Sequence, residues 1–97
     1  MKPVELESYS QDTNAWVVRT PGRKFPALVI QGDSFSTFFV TAQSIVDRVR
    51  ASNCEDAELL GEAEELRDLL WAHLRHYEET LRNNGFDLPY SRVAWPQ

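Results

Sequence analysis

Ninety-seven residues suffice for one domain with a modest core, and 42% hydrophobic with 26% charged residues is the composition of a folded chain rather than a disordered one. The net charge of −5 is uneven: residues 1–53 carry six Lys/Arg against five Asp/Glu, a balance of +1, while residues 54–97 carry four against ten, a balance of −6. Such an acidic half repels phosphate backbones, which disfavours nucleic-acid binding, and would speed the approach of a basic protein.

In chain order, Val4–Tyr9 alternates loosely, with Val4 and Leu6 on one side and Glu5 and Glu7 on the other, and predicts a half-buried edge strand. The polar segment 10–14 (SQDTN) predicts a turn, and Ala15–Thr20 (AWVVRT) a second strand from its Trp and paired Val content. In Thr20-Pro21-Gly22-Arg23, proline sets φ at the second turn position and glycine supplies the positive φ that a type II turn needs at the third. Phe25–Gln31 (FPALVIQ) is the return strand, with Pro26 at its start because proline cannot donate to the ladder. Together the three make an antiparallel meander.

A helix is predicted from Asp33 or Ser34, either of which can cap it. Phe35, Phe38, Phe39, Ala42, Ile45, Val46 and Val49 recur at three- and four-residue steps and make one apolar face. After a break at Ala51-Ser52-Asn53, a second helix is predicted over about 55–84. Its stripe is Leu59, Ala63, Leu66, Leu70, Leu74, Tyr77 and Leu81. Acidic residues crowd its first half and Arg75 and Arg82 its second, as the helix dipole favours. Asn83-Asn84-Gly85 is a stop signal. The segment 86–97 (FDLPYSRVAWPQ) is too apolar for a disordered tail and predicts an extended stretch or fourth strand.

The fold class predicted is α+β, order βββαα, a three-stranded meander packed on a two-helix hairpin in a single domain. A 30-residue helix would be about 45 Å long, against a radius of gyration of about 12–13 Å for a compact domain of this size. Either the helix breaks near Gly61 or it overhangs, and an overhanging leucine stripe suits a second copy of the chain, a homodimer through the long helix.

No run of about 18 apolar residues exists, so no transmembrane helix is expected, and MKPVELESYS lacks the apolar core of a signal peptide. Cys54 is the sole cysteine, which rules out an intramolecular disulfide and a CxxC zinc site and suits a reducing, cytoplasmic compartment.

His73 and His76 stand one turn apart, but no HExxH or ExxH pattern accompanies them, so no metal or cofactor is expected. Cys54 sits at a predicted helix start, which would lower its pKa, yet Glu55, Asp56 and Glu58 oppose that effect. No phosphate-loop, dinucleotide or nucleophile-elbow motif occurs, and an enzyme is not expected. Two surfaces remain as candidates. Arg19, Arg23 and Lys24 surround the hairpin turn and could clamp an anion or nucleotide, although charged hairpin tips are commonplace. Glu58, Glu62, Glu65 and Asp68 form an acidic helix face for a basic protein, with Trp71 as anchor, although acidic runs are usually just solvated and Trp71 and Trp95 more often finish a core.

The block 13–35, TNAWVVRTPGRKFPALVIQGDSF, resembles the hallmark of a family of small uncharacterised bacterial proteins in which a TN…VVR…PGR.FP…IQGDS pattern precedes a helix. The resemblance covers about a quarter of the chain and implies a bacterial origin, with no assigned chemistry. Size and acidity are also similar in kind to those of immunity proteins that neutralise toxins. The expectation is therefore a non-catalytic protein-binding protein, immunity-type or another small inhibitor, with an anion-binding hairpin as the alternative.

Overall fold

The computed structural model describes residues 1–11, 15–53 and 55–91. Three antiparallel strands precede two helices, an α+β chain of order βββαα. It forms two compact units, residues 1–31 and 32–97.

The strand unit is the sheet β1 (Glu7–Ser10), β2 (Ala15–Arg19) and β3 (Ala27–Ile30), in that spatial order. Both pairings are antiparallel. The β2–β3 turn is closed by the Arg23 N–H donating to the Thr20 carbonyl at 3.2 Å, with Gly22 at φ +79°. A residue with a Cβ is strained there, which is why glycine follows proline. Across the sheet Trp16 faces Val29 and Val18 faces Ala27. Val18 is buried. The first strand differs from its predicted bounds. Val4 and Leu6 precede it and are exposed, and its ladder shifts register between Ser8 and Ser10. A bulge of this kind adds a residue to one strand, so alternation read along it loses its phase. Of the predicted turn 10–14, residues 12–14 lie outside the described residues.

The helical unit is α1 (Gly32–Ala51) and α2 (Ala57–Asn83), packed antiparallel. Helix α1 begins at Gly32, ahead of the predicted caps. Asp33 lies inside the first turn, where its Oδ1 accepts from the Ser34 N–H at 2.9 Å. Asn53 then turns the chain at φ 55°. Asp56 caps α2, its carboxylate accepting from the Leu59 N–H at 3.0 Å, one of the orphan donors of the first turn. Helix α2 runs unbroken through Gly61. At 1.5 Å per residue it is about 40 Å long and α1 about 30 Å.

Gly32 lies beside Tyr77, Phe35 meets His73 edge-on at 6.3 Å, and Phe39 stacks on Trp71 at 5.2 Å. These three contacts fix the register of the hairpin and leave the last two turns of α2 beyond the start of α1. That overhang is met by the chain's own next segment. The helix closes with the Phe86 N–H on the Leu81 carbonyl and the Gly85 N–H on the Arg82 carbonyl, with Gly85 at φ +77°. This paired closure reverses the backbone and needs a left-handed residue in its middle. Residues 86–91 form no strand, so the possible fourth strand is not made among the described residues, and residues 92–97, Trp95 among them, lie outside those residues. The returning segment is tied down by Tyr90, whose hydroxyl donates to Glu78 Oε2 at 2.7 Å.

The centre of the helical unit is Ala42, Val46 and Leu74, with Glu78 equally buried. A buried carboxylate is costly unless hydrogen-bonded. Tyr90 supplies a donor, and Arg82 stands 3.7 Å away one turn on.

Candidate functional site

The two candidate surfaces belong to different units. The basic one sits on the β2–β3 hairpin. Arg19 and Glu7 are direct cross-strand partners, and the Arg19 Nη2 donates to Glu7 Oε1 at 2.6 Å. Tyr9 donates to the other Glu7 oxygen at 3.0 Å. Arg19 is thereby committed to an internal partner rather than turned to a ligand. Arg23 and Lys24 form no ion pair among the described residues, and Lys24 lies over the Phe25 ring at 5.5 Å. Beside them is a shallow, open depression lined by Thr20, Gly22, Arg23, Lys24, Phe25 and Ala27. The hairpin therefore offers two of the three predicted cations.

The Arg19 hydrogen bond first, the Tyr9 hydrogen bond second and the charge of Arg19 third hold the Glu7 carboxyl below the ordinary value of 4.5. A carboxyl depressed on folding contributes stability above its unfolded pKa, and that contribution is lost as pH falls through the folded value. A site-resolved NMR titration is expected to place Glu7 below 4.5 and to return it towards 4.5 in Arg19→Ala. Identical midpoints in the two proteins would show that the pair does not form in solution.

The acidic surface is on α2. Glu55, Glu58, Glu62, Glu65 and Asp68 are all exposed. Asp68 is held by the adjacent Arg67 at 2.9 Å, and Glu64 is bridged to Arg50 of α1 at 3.5 Å. Glu55, Glu58, Glu62 and Glu65 form no ion pair among the described residues. The four predicted contact carboxylates do not share one line. Glu58, Glu62 and Glu65 occupy the side of α2 turned from α1, while Asp68 stands on a flank. Trp71 is half-buried against Phe39 and serves the helix–helix contact instead of projecting as an anchor. An aromatic on the shoulder of a long helix is ambiguous until a neighbouring helix is placed beside it.

His73 and His76 are exposed, and His73 is engaged by the Phe35 ring. Among the described residues no three His, Cys, Asp or Glu side chains converge as a metal would require, and Cys54 lies outside those residues. Sequence reasoning missed the buried Glu78 and its Tyr90 partner. The signal was present: Glu78 is four residues from Leu74, on the same shoulder of the helix as Trp71, with Arg82 four residues further on.

Among the described residues no helix is long and apolar enough to cross a membrane. Neither the curated proteins nor the solved structures contain a match to the chain. One family model does match it, over residues 1–90, and the chain therefore belongs to the family of unknown function DUF6959.

Proposed function

We propose that the chain is a non-catalytic protein-binding protein of the bacterial cytoplasm, an immunity-type or similar small inhibitor that presents the acidic side of α2 to a basic partner. The observation that carries this reading is the row Glu58, Glu62 and Glu65, exposed and without a cation partner among the described residues. Unpaired surface carboxylates raise the on-rate for a cationic partner and lose that advantage as salt screens them. The anion-binding hairpin is the weaker reading, because Glu7 already holds Arg19.

The test is affinity capture from the native host by the wild-type chain and by a Glu58→Lys/Glu62→Lys/Glu65→Lys variant. A basic protein is expected on the wild type at about 20 mM salt, at least tenfold depleted by the triple variant and by about 0.5 M salt. Equal capture by both chains, or none by either, refutes the reading.

A further inference from the structure

Two antiparallel helices can cover only one side of each other, and the apolar arcs here are wider than that. On a helical wheel at about 100° per residue, Phe38 and Ile45 lie about 60–80° to one rotational side of the α1 positions that meet α2. Measured from the buried Leu74, Leu66 lies about 80° and Leu59 about 60° to the same rotational side; Tyr77 shares the Leu59 line but is covered by the start of α1 at Gly32. Because the helices run in opposite directions, the same rotational sense places both sets on one side of the hairpin. Leu69 borders them on the outer margin. The exposures bear this out: Phe38 46%, Ile45 45%, Leu59 44%, Leu66 51% and Leu69 56%. The predicted leucine stripe is thus divided. Ala63, Leu70, Leu74 and Tyr77 are taken up within the hairpin, and Leu59 and Leu66 are left to solvent with two residues of α1.

We propose that this face, Phe38, Ile45, Leu59, Leu66 and Leu69, is buried against the same face of a second copy of the chain, making an antiparallel four-helix dimer. The area is right. At roughly 150–200 Å² per large apolar side chain, these exposures leave about 360–480 Å² of apolar surface. One side of a standard interface buries about 800 Å², of which roughly 450–520 Å² is apolar. The surroundings are right as well, since Thr41, Arg48, Glu58 and Glu62 rim the patch with polar groups. The patch is also self-complementary. A two-fold axis crossing both helices at the level of Thr41 and Arg67 sets Phe38 of each copy beside Ile45 of the other and brings the two Leu66–Leu69 turns together. An isologous contact of this kind closes on itself, because each copy uses the same face that it covers on the other. The dimer rests on apolar contact and not on the acidic-surface reading, although Glu58 and Glu62 border both surfaces.

Sedimentation velocity of the full chain from about 1 to 100 µM is expected to show a species of twice the 11.2 kDa chain mass. That species should persist at about 0.5 M salt, where an electrostatic contact is lost. Leu66→Glu and, independently, Ile45→Glu are expected to weaken it at least about 100-fold while the far-UV circular dichroism stays helical. Thr41→Cys in a Cys54→Ser background is expected to cross-link into a disulfide dimer under mild oxidation, and Asp47→Cys, on the other flank, is not. A wild-type monomer at 100 µM overturns the proposal. So does a dimer untouched by both glutamates, and so does equal cross-linking at positions 41 and 47.

Discussion

Leu74→Ala is expected to lower the stability of the helical unit by about 3–5 kcal/mol, read as a fall in the urea midpoint with little change in slope. Leu74 has no solvent exposure at all, and it lies one turn from the buried Glu78, which Tyr90 tethers. Truncation removes the transfer energy of the lost carbons and leaves a cavity that helices pinned at both ends cannot collapse. For a small unit whose whole stability is of the order of 5–10 kcal/mol, that is a large share. Leu69→Ala, at a position 56% exposed, is the matched control. At a concentration too low for self-association it is expected to cost less than about 1 kcal/mol. Equal losses from the two substitutions would mean that Leu74 is not central to the core.

Gly32→Ala is expected to cost about 2–3 kcal/mol, a large effect for a single added methyl at a helix start. Alanine is ordinarily the better helix former, by about 1 kcal/mol, so intrinsic propensity predicts the opposite sign. The contact decides. A Cβ on Gly32 would fall on the Tyr77 ring, against Cζ, Cε2 and the hydroxyl oxygen. Either the ring turns out of its place or the start of α1 lifts from α2. A double-mutant cycle separates this from a backbone effect. Tyr77→Ala has its own cost, but in that background Gly32→Ala is expected to be neutral or mildly stabilising. A cost in that background as large as in the wild type would place the strain elsewhere. Gly61 is the internal contrast. Nothing lies within 4 Å of its would-be Cβ, and Gly61→Ala is free to gain the ordinary helix propensity.

Glycine at position 32 also explains why the start of α1 is displaced from the predicted capping residues. Asp33 and Ser34 have the right chemistry for a cap, but the Tyr77 ring lies directly on Gly32, and the helix is already formed there. A local signal one residue away was outweighed by a contact 45 residues off in sequence, as often happens at helix boundaries.

Features held by neighbouring residues were legible in the chain itself. The Pro21-Gly22 turn and the Gly85 closure each depend on a φ value or a hydrogen bond within a few residues, so the local sequence specifies them, whereas Asp56, read as part of the helix, proves to be its cap. The α1 and α2 periodicities did the same for element type and order. Which part of each apolar arc is covered was not legible. Seven apolar positions on each helix exceed what one neighbour can bury, and only the register of the hairpin selects Val46 and Leu74 for the interior and leaves Phe38 and Leu66 outside. The same holds for charge. Glu78 reads as one more member of an acidic helix until the chain reverses at Gly85 and brings Tyr90 back to it. Arg19 reads as a free cation until β1 pairs with β2 and puts Glu7 opposite. Short-range dihedral and capping preferences are properties of adjacent residues; burial and pairing are properties of segments that meet only after folding.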